Sequence, residues 1–123
     1  MALTSFAAVQ KFFNDFIAMN PGIDIADAQH HAFWNTTYDN FVNGNVPNVT
    51  DPTSGQPLAI LNKVNGKYDG PSSNIVMALA GTANSLFDPN NPAGIGQMPQ
   101  GGPYMSTDQI NELSDWITAG CPE

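Results

Sequence analysis

The side chains in this sequence best suited to chemistry are the soft and borderline ligands. They are the adjacent pair His30 and His31, the five methionines that include Met98 and Met105, and the single cysteine, Cys121. Imidazole and thioether donors favour copper or haem iron over magnesium or calcium, and a His, Met and Cys set is one that binds copper. The histidine spacing argues against both rings meeting one ion, because neighbours on a helix point about 100° apart around its axis. One ring could still bind, with Met98 or Met105 reaching it from a later segment. The plainer reading packs one imidazole beside Phe33 and Trp34 and leaves the other in solvent. Methionines in a small domain are more often core filler than ligands, and the helix C-terminus before Cys121 raises a thiol pKa rather than activating it.

Other chemistries have less to build on. One cysteine excludes an intramolecular disulfide, a Cys-x-x-Cys redox pair and a multi-cysteine zinc site. Asp24, Asp27, Asp108, Glu112 and Asp115 fall at helix starts or on solvent faces, which indicates capping and solvation rather than a paired acid and base. Asp51 and Asp88, each among Asn or Thr neighbours, read as Asx turns and lack the alternating ladder of a calcium loop. Ser5, Ser72 and Ser73 have no nucleophile-elbow context, and neither Gly94-Ile-Gly96 nor Gly101-Gly102 follows a strand and opens a helix as a phosphate loop does. With 3 Lys and Arg against 11 Asp and Glu, the formal charge of -8 repels nucleic acid and anionic membrane surfaces. The partner left by this exclusion is another protein or a second copy of the chain.

The elements that would position these groups are mostly helical. Behind Thr4 or Ser5 as N-cap, Phe6, Val9, Phe13, Phe16 and Ile17 recur at helical spacing until Asn20-Pro21-Gly22 ends the run. Asp24 and Asp27 open a second helix to about Asn35, with Ile25, Ala28, Ala32 and Phe33 inward. Thr36 or Thr37 caps a third, carrying Tyr38, Phe41 and Val42 to Gly44, and Ser72 or Ser73 a fourth, carrying Ile75, Val76 and Leu79 to Gly81. Between them, residues 45–70 are rich in Pro and Gly, with Asn65-Gly66 as a tight turn able to close one short hairpin. Residues 82–105 show no periodicity, and a loop of that length suggests a functional segment or a cofactor lid. The last helix carries Ser106 and Gln109 as a capping box, Ile110, Leu113, Trp116 and Ile117 as its core stripe, and Gly120 with Pro122 at its end.

The stretch Met98-Pro-Gln-Gly-Gly-Pro-Tyr-Met-Ser-Thr-Asp-Gln-Ile-Asn-Glu-Leu-Ser-Asp-Trp-Ile-Thr-Ala-Gly-Cys-Pro122 resembles the end of bacterial cytochrome c domains, where a Met-Pro loop precedes a final helix ending in Trp-Ile and Gly. Tyr38-Asp-Asn-Phe41 with Gly44, and Gly70-Pro-Ser-Ser-Asn-Ile-Val-Met-Ala-Leu79 with Gly81, look like the middle of such domains. His30-His31-Ala32-Phe33-Trp34 looks like the His-x-x-Phe-Trp stretch of small haem-free relatives. The sequence departs from the family in having no Cys-x-x-Cys-His, so covalent haem is excluded. The resemblance would place the family's axial methionine at Met98, and its final helix against the first.

The resulting expectation is a single domain over residues 1–123, mainly α, a cytochrome c-like bundle of about five short helices with long Pro- and Gly-rich loops. No cofactor is expected, and the function expected is that of a non-catalytic binding or structural module that docks on a protein partner or self-associates. Phe33, Trp34, Tyr38 and Met105 are the candidate binding residues. The alternatives are electron transfer with noncovalent haem held by His30 or His31 and Met98, or a small copper-binding redox protein using the same groups. No signal peptide or membrane anchor is legible at Met1-Ala-Leu-Thr, although the resemblance implies an extracytoplasmic setting.

Overall fold

Ser5 begins the first helix by accepting the Ala8 N–H on its side chain at 3.1 Å, which satisfies one of the donors that a helix start leaves without a partner. Helix α1, Phe6–Met19, then buries Phe6, Val9, Phe13 and Phe16 along one stripe. Asn20 closes it by donating its side-chain amide to the Phe16 carbonyl at 2.8 Å. These features belong to a computed structural model that describes residues 3–23, 32–99 and 102–123. Helix α2 is Tyr38–Asn43 behind Thr37, α3 is Asn74–Ala80, and α4 is Thr107–Thr118 behind the Ser106 and Gln109 capping box.

The mainly α expectation is overturned between α2 and α3. Strand β1, Asn45–Thr50, pairs antiparallel with β2, Pro57–Ala59, and β3, Asn62–Val64, pairs antiparallel with β4, Lys67–Asp69. Among the described residues the protein is therefore mixed, with four helices and two small two-stranded sheets rather than a bundle of about five helices. The cause is backbone pairing fixed by turn chemistry. In the first ribbon, Asp51 Oδ1 accepts the N–H groups of Thr53 and Ser54 at 2.7 and 3.3 Å, while the Asp51 N–H donates to Gln56 O at 2.8 Å. In the second, Asn65 and Gly66 both adopt positive φ, 54° and 79°, the conformation a two-residue hairpin turn requires. Apart from Leu58 these strands bury little, so no period-two apolar pattern marks them in the sequence. Of the second helix expected from Asp24 to Asn35, residues 24–31 lie outside the described residues, and 32–36 form turns and bends.

The core is aromatic where the helices meet. Phe6 lies 5.3 Å from Phe41 and 6.5 Å from Trp116 between ring centroids, and Phe41 lies 6.2 Å from Trp116. Leu113 and Ile117 of α4, Ile75, Val76 and Leu79 of α3, and Ile60 and Leu61 complete the cluster. The chain's end is tied to the same region by three successive carbonyls. The Tyr38 hydroxyl donates to Cys121 O, the Trp116 indole to Pro122 O at 3.0 Å, and the Phe6 N–H to Glu123 O at 3.3 Å.

Ser73 is a second junction. It is fully buried and, instead of capping α3 through its side chain, accepts the Asn62 N–H and donates to Asp69 O, both at 2.8 Å. One hydroxyl thus joins the start of β3, the end of β4 and the entry to α3. Residues 82–99 of the long segment run through successive turns and bends. Asp88 accepts the N–H groups of Asn84 and Asn90 at 2.9 Å each, which hold its carboxyl below the ordinary value of 3.8, and Phe87 is buried. The segment's far end caps α3, because the Met98 N–H reaches Ala78 O at 2.8 Å and the Gln97 side chain reaches Leu79 O at 3.1 Å. Those last-turn carbonyls have no donor within their own helix. No described helix is long and apolar enough to cross a membrane.

Trp116 therefore has two separable roles. Trp116→Phe keeps a ring and loses the indole donor, leaving the Pro122 carbonyl to other partners, and is expected to cost about 1 kcal/mol; Trp116→Ala also opens a cavity and is expected to cost about 3–5 kcal/mol. Urea unfolding followed by circular dichroism checks both values, and equal losses for the two variants would contradict the separation.

Candidate binding cleft

Where α2 passes into β1, a cleft of about 270 Å³ opens, lined by Phe33, Thr36, Asn40, Gly44, Asn45, Pro47 and Ile60. The wall that precedes α2 is strapped to α1. The Gln10 side chain donates to two carbonyls, Trp34 O at 3.0 Å and Thr36 O at 3.1 Å, and Asn14 Oδ1 accepts the Trp34 indole N–H at 2.8 Å. Gln10 and Asn14 are one helical turn apart, so both reach the same segment. Trp34 stacks on Phe13 at 4.9 Å, and Phe33 meets Trp34 edge to face at 5.5 Å, which fixes the ring at the cleft.

The opposite wall is set by close backbone approach. A Cβ on Gly44 would collide with the Asn40 carbonyl oxygen, so only glycine lets α2 end and β1 begin at this separation. Gly44 O accepts the Ile60 N–H at 3.2 Å, and the buried Ile60 forms the floor. Asn40 donates its side-chain N–H to Thr36 Oγ1 at 3.3 Å, which leaves the amide oxygen as an oriented acceptor. The Asn45 side chain is exposed at the rim. Among the described residues the lining contains no titratable side chain.

The remaining candidates from the sequence occupy different places. His30 and His31 lie outside the described residues. Trp34 is buried in the α1 contact, the Tyr38 hydroxyl binds the tail at Cys121 O, and Met105 is buried in the main core. Met98 is half-buried beside the C-terminal end of α3. Of the named binding residues, Phe33 alone lines the cleft. Thr36, Asn40, Gly44, Asn45, Pro47 and Ile60 escaped the sequence reading because they are separated along the chain and individually ordinary; the density of Asn and Thr between residues 35 and 50 was their one signal.

The copper and haem alternatives can be compared with these donors. Cys121 is buried, adopts φ 56° and points its thiol at Ile117 O, 3.8 Å away. Burial pushes its pKa from 9.0 up to about 11, partly opposed by Lys63, so at neutral pH it is a buried thiol. The direction agrees with that expected after a helix C-terminus, but the dominant cause is burial. Among the described residues the cleft offers no imidazole, thioether or thiolate, and its volume falls below the roughly 300–1,000 Å³ of drug-sized ligand sites.

Two outcomes follow. Below pH 9.0 the Cys121 thiol is neutral in both folded and unfolded chains; between 9.0 and about 11 only the unfolded chain ionises it, so stability falls as pH rises through that window. Cys121→Ala should flatten that slope in denaturant midpoints measured from pH 8 to about 11. Gly44→Ala should destabilise the fold by about 1–3 kcal/mol through overpacking against Asn40, read from urea midpoints.

In the comparisons with known proteins, no family, no curated protein and no solved structure matches this chain, so the cleft's own geometry carries the functional reading.

Proposed function

We propose that this chain is a non-catalytic binding module and that the cleft over Ile60 is its binding site. The observation that carries the reading is a prepositioned amide, hydroxyl and aromatic lining in which none of the described residues is titratable. General acid–base catalysis, nucleophilic attack and metal binding each need a group of that kind, whereas holding a neutral ligand needs only directional hydrogen bonds and an apolar surface. The formal charge of -8 acts in the same direction. It repels anionic ligands, leaving a neutral ligand or a protein partner with a neutral or cationic surface.

The test combines two measurements on the purified protein. Soaking its crystals with a library of neutral fragments is expected to place density against Phe33 and Asn40, and the visible spectrum and metal content are expected to be blank. A Soret band that survives dialysis, or stoichiometric copper lost on replacing His30 and His31 by Ala, would overturn the reading in favour of electron transfer. Fragments that bind everywhere except the cleft would also overturn it.

A further inference from the structure

Resting on the reading that the cleft binds a neutral ligand, we infer that its ligand class is a single uncharged pyranose ring, either free or at the end of a glycan. Sugar rings present two kinds of surface at once, a girdle of hydroxyl groups and a patch of C–H bonds. The cleft presents both complements. Asn40 Oδ1 is an oriented acceptor because its amide nitrogen is held by Thr36 Oγ1, and the exposed Asn45 amide adds a donor and an acceptor at the rim. The partly exposed Phe33 ring, fixed by its edge contact with Trp34 above the buried Ile60, offers the apolar surface against which C–H groups pack.

Size and edge geometry separate a sugar ring from an extended peptide. At about 270 Å³ the cleft is bounded and suited to one ring rather than a length of chain. A peptide running along β1 would need a regular row of backbone donors and acceptors. Pro47 has no N–H, and Asn48 at φ 60° turns the strand out of the extended conformation, so β1 cannot template an added strand. The absence of charge among the described lining residues disfavours sugar acids and sugar phosphates, as does the net charge of the chain. The Gln10 and Asn14 straps hold the Phe33 and Thr36 side in place before any ligand arrives, which lowers the ordering cost of a weak site.

The experiment is a 1H–15N correlation titration of the full chain with glucose, galactose, mannose and N-acetylglucosamine, alongside a panel of uncharged peptides. The expected result is saturable shifts confined to residues 33–47 and 60 with at least one sugar. Asn45→Ala and Asn40→Ala should each weaken that binding, by up to about tenfold for a lost hydrogen-bonding partner. The Asn45 side chain is exposed and its ladder pairing with Ala59 is made by the backbone, so its variant keeps the test valid if Asn40→Ala unfolds. Sugar-induced shifts located elsewhere, or shifts unaffected by Asn45→Ala and Asn40→Ala, overturn the inference. If peptides shift the cleft and sugars do not, the inference fails while the binding-module reading stands. If neither class nor any neutral fragment perturbs the cleft, both fail.

Discussion

The contact of Phe6, Phe41 and Trp116 is the interaction on which the rest of this structure depends. It brings the first turn of α1, the middle of α2 and the last turns of α4 to one point, so residues more than a hundred positions apart share a desolvated interior. Large rings dominate such a core because each removes much apolar area from water while giving up few rotamers. The tail then follows from the rings. With Trp116 buried, its indole N–H needs an acceptor, and the Pro122 carbonyl supplies one; the neighbouring carbonyls of Cys121 and Glu123 meet the Tyr38 hydroxyl and the first N–H of α1. A segment of three residues thereby satisfies donors from three helices.

Polar side chains do the corresponding work away from the rings. Gln10 and Asn14 hold the segment before α2, Ser73 joins both strands of the second hairpin to α3, and Gln97 with Met98 closes the C-terminal end of α3. No buried polar side-chain atom among the described residues lacks a hydrogen-bond partner. In a chain with only 11% charged residues, Asn, Gln, Ser and Thr take the structural part that ion pairs take elsewhere. The Lys11 and Asp15 pair on α1 is highly exposed and contributes little. The cleft has the same neutral character because it is built from the same groups.

The segment from 82 to 99 is a long loop fastened to the fold by its own turns and by its end. Its Asx turns satisfy its own backbone locally, Phe87 anchors it, and its end donates to α3 carbonyls that would otherwise need water. The resemblance of residues 98–122 to the end of cytochrome c domains implied a metal-ligating methionine at the same place. In the structure the Met98 backbone N–H closes α3, a contact that does not involve the thioether.

The sequence by itself determined α1 and α4, their caps and the faces they bury, because helical periodicity and capping residues act within a few positions of each other. It also determined the Asn65-Gly66 turn, whose conformation depends on those two residues. Tertiary structure decided the β1–β2 ribbon, the relocation of Ser73 from cap to junction, the burial that raises the Cys121 thiol, and the cleft. Each of these depends on partners distant in sequence: Asn45 on Ala59, Ser73 on Asn62, Phe33 on Ile60 through the fold between them. Local propensity carries no record of such pairs, and polar strands without apolar alternation leave no periodic trace. The physical reason is that a helix satisfies its backbone within its own segment, whereas a sheet or a cleft exists only once separate segments have met.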